Sequence, residues 1–89
     1  MKIVWDEPKR QINIATHGLD LADAELFDWE GAIVVRGHTA SDGRPRFRAI
    51  GLLGNDLVTL VFSPLGTEAV SVISMRPANR AERKIYGQT

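Results

Sequence analysis

The chain of 89 residues contains no cysteine, which excludes a disulfide framework, a thiolate metal site and a cysteine nucleophile. There is no glycine-rich nucleotide-binding loop, and its two histidines, His17 and His38, are too far apart in sequence to suggest a metal site. No apolar run approaches membrane-spanning length, and the N-terminus turns acidic at Asp6 before a signal-peptide core can form. We therefore expect a cytoplasmic chain that needs no metal, cofactor or membrane.

The length and composition indicate an ordinary folded domain. Hydrophobic residues make up 44% of the chain and charged residues 25%, as in a typical soluble globular protein. A chain of this length has room for one modest core, so we expect a single domain over residues 1–89. This argues against a large enzyme with a deep cofactor cleft.

The formal net charge of zero hides an asymmetry between the two parts of the chain. Up to Glu30 there are three basic residues against seven acidic ones, a balance of −4. From Gly31 onward there are eight basic residues against four acidic ones, a balance of +4, and seven of those eight are arginine. The planar guanidinium suits bidentate phosphate recognition. A solvated mixed surface would account for the charge pattern alone equally well.

Capping residues predict a helix in the N-terminal part. Asp6 is a good N-cap, Pro8 is tolerated in the first turn, and Gly18 is a plausible C-terminal stop. Ile12 and Ala15 lie three apart on one face of this helix.

A second helix is expected to follow at once, capped by Asp20. Leu21, Ala24 and Phe27 share one of its faces, which we expect to be buried.

The period of the apolar residues drops to two after Gly31, which predicts strands over 32–36, 46–53, 57–62 and 69–75. Short turns between them indicate an antiparallel meander. Asn79 and Glu82 then form a capping-box pattern that opens a final helix reaching to about Tyr86. The predicted class is α+β: two N-terminal helices, an antiparallel sheet of three to four strands and a C-terminal helix.

Arginines are the main candidates for chemistry. Arg46 and Arg48 lie two apart on a predicted strand and so leave the same face, and Arg76 lies where the last strand ends. Cleavage of RNA without a metal needs fixed positive charge on the phosphorane and groups that move protons. Arginine can supply the first, and histidine, glutamate or tyrosine the second.

Three segments of the chain resemble the BrnT family of bacterial type II toxins. They are Trp5-Asp6-x-x-Lys9-x-x-x-Asn13-x-x-x-His17-Gly18, Arg46-x-x-x-Ile50-Gly51 and Ile73-Ser74-x-Arg76-x-Ala78-x-x-x-Glu82-Arg83-x-x-Tyr86. The resemblance implies a RelE-like fold, RNA cleavage, and neutralisation by a BrnA-like antitoxin with a ribbon-helix-helix domain, through which the complex binds DNA. One departure is Thr16, where the family usually has lysine.

On this basis we predict a metal-independent endoribonuclease toxin. Arg46 and Arg76 are expected to hold the scissile phosphate, and His17 or Glu82 to move the proton. For Glu82, the capping box is the competing explanation and the one that local sequence favours. The expected RNA-binding residues are Lys9, Arg48, Arg80, Arg83 and Tyr86.

Two alternatives stay open. Lys9 and Asn13 lie four apart on one helical face, where they contact either RNA or solvent. His38 matches no motif and receives no role.

The alternative function is a non-catalytic, degenerate toxin-fold module that binds the antitoxin in an autoregulatory DNA-binding complex.

Overall fold

A computed structural model describes residues 1–87 of the chain. In chain order its elements are β1 (Lys2–Trp5), α1 (Glu7–His17), a short 3-10 helix (Leu21–Leu26), β2 (Ile33–Arg36), β3 (Phe47–Leu53), β4 (Asp56–Leu65), β5 (Ala69–Pro77) and α2 (Arg80–Gly87). The α+β class is therefore confirmed.

The strands form one five-stranded sheet in the order β1-β5-β4-β3-β2. Strands β2 to β5 are an antiparallel meander, as predicted. Strand β1 instead runs parallel to β5, with Lys2 opposite Ala69 and Trp5 opposite Val72. The prediction of three to four strands, all antiparallel, was therefore wrong. The four residues of β1 are too few to show a period, and no local turn signals a partner at the other end of the chain.

Helix α1 begins and ends where its caps predict. The Asp6 carboxylate accepts a hydrogen bond from the Lys9 backbone N–H at 3.2 Å, and Gly18 adopts the left-handed conformation with φ of 69°. The face that carries Ile12 and Ala15 is not buried, since Ile12 is 65% exposed and Ala15 is also exposed. The helix contacts the sheet through a polar residue, which an apolar pattern cannot reveal.

The second helix lies in its predicted place but is a 3-10 helix of six residues. The Asp20 side chain accepts from the backbone N–H of Ala22 at 2.9 Å and caps it. Short helices often take this tighter form. Leu21, Ala24 and Phe27 are buried, as expected.

The main core lies between these N-terminal elements and one face of the sheet. Its sheet side includes Leu60 and Met75, both fully buried, and its other side includes Leu21 and Phe27. A Cβ on Gly51 would lie 2.9 Å from Cζ of the Phe27 ring, so the close packing of this ring requires glycine in β3.

A β-bulge in β5 decides which side chains face the core. Val61 of β4 pairs with Ser74 and Phe62 pairs with Val72, so Ile73 is an extra residue on β5. Because of this extra residue, Val72 and Met75 are both buried in the core although they lie three apart. The bulge thereby directs Arg76 to the opposite face of the sheet.

That opposite face carries helix α2. The predicted capping box is confirmed: the Glu82 carboxylate accepts from the Asn79 backbone N–H, and the Glu82 backbone N–H donates to the Asn79 side chain, each at 2.9 Å. Glu82 is fully buried, together with Ile50 and Thr59 of the sheet.

Candidate active site

A cavity of about 520 Å³ on the α2 face of the sheet gathers four arginines. Its lining consists of Arg36, Gly37, His38, Arg46, Arg48, Val61 and Arg76. We call this cavity the arginine pocket. The pocket combines residues of β2, β3, β4 and the end of β5 with residues of the loop between β2 and β3.

The pairing of β2 with β3 brings the two ends of the intervening loop together. The Gly37 backbone N–H donates to the Arg46 carbonyl oxygen at 2.7 Å, one step beyond the last ladder pair of Arg36 with Phe47. Arg46 and Arg48 both line the pocket, as their spacing along one strand face predicted.

Glu82 holds two of the pocket arginines. Its Oε1 accepts from Nη1 of Arg76 at 2.7 Å, and its Oε2 accepts from Nη2 of Arg76 at 2.9 Å and from Nη1 of Arg48 at 2.7 Å. With the bond from Asn79, the carboxylate accepts four hydrogen bonds. A fork-to-fork pair of this kind fixes the plane and the direction of the guanidinium.

This environment keeps Glu82 ionised. Hydrogen bonds, chiefly from Arg76 and then from the Asn79 backbone and Arg48, lower the pKa of the Glu82 carboxyl to about 2, although burial acts in the opposite direction. The capping and site interpretations of Glu82 are therefore not exclusive, because one carboxylate caps α2 and orients Arg76 and Arg48.

Arg46 differs from Arg48 and Arg76 because no carboxylate pairs with it within residues 1–87. Its Nε is buried and has no hydrogen-bond partner within residues 1–87, and it forms no ion pair there. The guanidinium of Arg36 lies 5.4 Å from the centroid of the Phe47 ring in a cation–π contact. Four arginines thus line the pocket and Glu82 pairs with two of them, and this excess of positive charge makes the pocket a site for an anion.

Comparison with known proteins identifies the family. A family model described as the ribonuclease toxin BrnT of a type II toxin-antitoxin system matches residues 5–82. The chain belongs to the BrnT family. A crystal structure of the ribonuclease toxin BrnT from Brucella abortus is 49% identical, with a TM-score of 0.70, and the match covers 90% of this chain and 99% of that one. A comparison with curated proteins gives no match.

Membership of the BrnT family makes the chain a ribonuclease toxin of a type II toxin-antitoxin system, which confirms the predicted enzyme class. It also implies an antitoxin partner. The matched region contains Arg46, Arg76 and Glu82, so the arginine pocket lies within the part of the chain that the family shares.

His17 does not line the arginine pocket. It lies at the end of α1 and lines a cavity of about 230 Å³ between α1 and β5, which we call the helix groove, together with Lys9 and Thr16. A further cavity of about 260 Å³ is lined by His17 and Arg83. Arg80 is exposed at the start of α2, and Tyr86 is half-buried near its end.

His38 and Arg36 line the pocket, and sequence reasoning missed both of them. His38 lines the arginine pocket beside Arg46, although it matches none of the family segments. The signal that could have revealed it is the hairpin between β2 and β3. If residue 37 pairs with residue 46, His38 must lie next to the predicted site.

The amide of Asn13 is buried and bonded to the protein, so it is not available for hydrogen bonds to RNA. Nδ2 donates to the carbonyl oxygens of Leu19 and Met75, each at 2.8 Å, and Oδ1 accepts from the Met75 N–H at 3.0 Å.

Within residues 1–87, no three His, Cys, Asp or Glu side chains cluster as potential metal ligands. In the same range, no helix is both long and apolar enough to cross a membrane.

Proposed function

We propose that this BrnT-family ribonuclease cleaves RNA in the arginine pocket by metal-independent transesterification. The observation that carries the proposal is the contrast between the arginines. Glu82 fixes the orientation of Arg76 and Arg48 before RNA binds, while Arg46 carries an uncompensated positive charge beside them. Preorganised donors of this kind stabilise charge that develops in a transition state.

The proposed step uses the RNA's own 2′-hydroxyl. The 2′-oxygen attacks the adjacent phosphorus while its proton passes to a base. The bond from phosphorus to the 5′-oxygen then breaks as that oxygen takes up a proton, which leaves a 2′,3′-cyclic phosphate and a 5′-hydroxyl. Arg46 and Arg76 hold the non-bridging oxygens and stabilise the additional charge of the phosphorane.

His38 supplies the imidazole of the pocket lining, a group that can both accept and donate a proton. We assign one of the two proton transfers to it and the other to water, because His38 is exposed and solvent reaches it. His17 was the expected proton donor or acceptor, but it lines neighbouring cavities, so we place it on the RNA path instead. Glu82 serves as a positioning residue, since its four bonds and lowered pKa oppose proton uptake.

The family resemblance supports four further assignments. We propose a BrnA-like ribbon-helix-helix antitoxin, DNA binding only through the complex with it, a cytoplasmic site of action, and one RelE-like domain over residues 1–89. A single sheet that joins all the strands of the described residues supports the assignment of one domain.

Two measurements test the proposed function. Induction of the chain alone in bacteria should arrest growth, and co-expression of a ribbon-helix-helix protein encoded beside it should restore growth. Purified chain should cleave RNA in excess chelator and leave cyclic-phosphate ends. A chain that is harmless when expressed would support the non-catalytic module, and activity that returns only with a divalent ion would contradict the metal-free step.

A further inference from the structure

The arginine pocket continues across the surface toward α1. Arg46 also lines a small hollow of about 90 Å³, which we call the bridging hollow. Lys9 and Ile73 line both this hollow and the helix groove. The three cavities therefore form one continuous track, joined at Arg46 and then at Lys9 and Ile73.

The chemistry of the track alternates between charge and apolar surface. Lys9 and Arg44 are exposed cations along the bridging hollow. The hollow also contains Asp42, whose carboxylate lies 4.0 Å from Nε of Arg44 and is thereby partly neutralised. Positive charge therefore exceeds negative charge along the track.

The helix groove offers surfaces for a nucleobase. Ile12, which is 65% exposed, and Ile73 supply apolar walls, and the hydroxyls of Thr16 and Ser74 supply donors and acceptors. The exposed ring of His17 provides a platform for stacking. Proteins that bind single-stranded nucleic acid combine a cationic path for the backbone with aromatic surfaces for the bases.

We infer that the helix groove is a subsite for a nucleotide that flanks the cleaved bond, so that single-stranded RNA runs from the arginine pocket past Lys9 to His17. This inference rests on the proposed function, because the track begins at the pocket in which the cut is placed. Lys9 neutralises a phosphate in the bridging hollow, and the next base lies between Ile12 and His17. The groove volume of about 230 Å³ suits one base rather than several.

The test measures binding of a 2′-O-methyl RNA of about ten nucleotides, which cannot be cleaved through its 2′-oxygen, by fluorescence anisotropy across a salt series. Lys9→Ala should weaken binding several-fold and reduce the slope of log Kd against log salt by about 0.7, the value for one phosphate contact on a single strand. Thr16→Lys should increase that slope by about 0.7. Lys2→Ala, which removes an exposed lysine from β1, is the matched control and should match the wild type.

Variants of His17 test the contact with the nucleobase rather than the contact with the phosphate. His17→Ala should weaken binding about fivefold or more, and His17→Phe should restore it because a ring remains. Wild-type affinity and salt slope in the Lys9, Thr16 and His17 variants would overturn the subsite. A loss of antitoxin neutralisation in these variants, with RNA affinity unchanged, would assign the groove to the partner protein and also overturn it.

The two proposals fail separately. Cleavage by Arg46→Ala at the wild-type rate would contradict the arginine pocket, whatever the binding data show. Wild-type RNA binding by Lys9→Ala would remove the subsite and leave the pocket as the site of cleavage.

Discussion

Asn13 replaces a strand partner for Met75. Strand β1 pairs with β5 only from Ala69 to Val72. Beyond that point the Asn13 amide donates to the Met75 carbonyl oxygen at 2.8 Å and accepts from the Met75 N–H at 3.0 Å. One side chain therefore completes the sheet edge and attaches α1 to it. This contact is important for the attachment of α1 to the sheet, because Asn13 is the buried residue of a helix that is otherwise largely exposed.

Replacement of Asn13 by alanine should therefore destabilise the whole chain. Two backbone groups of Met75 would lose their partners in a buried position, at a cost of about 2–4 kcal/mol. For a domain of this size that corresponds to a fall in melting temperature on the order of 10 °C or more. Thermal unfolding followed by circular dichroism measures it.

Two further variants make this prediction specific. Asn13→Asp should be no better than alanine, because its carboxylate would face the carbonyl oxygens of Leu19 and Met75. Gln11→Ala removes an exposed amide from the same helix and should change stability by less than about 0.5 kcal/mol. Equal stability of the Asn13 and Gln11 variants would contradict the structural role.

Arg46→Ala should abolish cleavage and leave stability nearly unchanged, because Arg46 forms no ion pair within residues 1–87. Loss of one transition-state donor reduces kcat by about 10²- to 10³-fold. Arg46→Lys should restore little, because the charge returns without the fork.

Arg76→Ala should lose cleavage and also stability, since it leaves the buried Glu82 carboxylate with fewer partners. Initial rates on RNA and melting temperatures distinguish the two arginines, and Lys84→Ala, an exposed cation on α2, serves as the control. Full growth arrest by both alanine variants would remove them from the site.

Glu82→Gln should reduce both stability and cleavage. Glutamine offers one acceptor oxygen where the carboxylate accepts four bonds from three residues, and its amide group would face the arginine donors. Arg48 and Arg76 are each about one-third exposed and can regain water, so the cost should be about 1–3 kcal/mol.

The Asn79→Ala variant tests the helix cap separately from the ion pairs that Glu82 forms with Arg76 and Arg48. It removes the acceptor for the Glu82 backbone N–H but leaves the carboxylate on Arg76 and Arg48. It should cost about 1 kcal/mol and keep cleavage at the wild-type rate. If Glu82→Gln proves as active as Asn79→Ala at a temperature where both are folded, Glu82 serves only as a cap.

Acid should destabilise the chain through Glu82. Its pKa is lowered from 4.5 to about 2 in the folded state, so the unfolded state binds more protons between those values. The stabilisation is present above pH 4.5 and is lost as the pH falls towards 2. Asp20, whose pKa is lowered to about 2 chiefly by its hydrogen bond from Arg10, adds a change of the same sign.

Urea unfolding at a series of pH values from 6 to 2.5 measures this dependence. Glu82→Gln should show a shallower loss of stability over the same range, because the carboxyl group at position 82 no longer titrates. Identical slopes in the wild type and the variant would contradict the assignment to Glu82.

Local signals in the sequence were sufficient for the caps and the meander. Asp6, Gly18 and the pair Asn79 and Glu82 act on neighbouring backbone, so their spacing alone predicted them. The bond from Arg48 to Glu82 spans 34 residues and depends on how α2 lies on the sheet. No spacing rule contains that information.

The same limit explains the structural role of Asn13 and the missed histidine. Apolar periodicity identifies Ile12 and Ala15, but the helix is attached to the sheet by the amide of Asn13. His38 enters the arginine pocket through pairing across a loop rather than through a motif. In both cases the deciding contact is tertiary.

The extra residue at Ile73 makes the last strand tolerant of a change in length at that point. Deletion of Ile73 would remove the bulge and leave an unbroken ladder, in which Arg76 keeps its place on the α2 face of the sheet. The same deletion at Phe47 has no bulge to absorb it and would place Arg46 and Arg48 on opposite faces. In a population of toxin genes, an in-frame loss of the Ile73 codon should therefore be less damaging than the loss of a codon within the third strand.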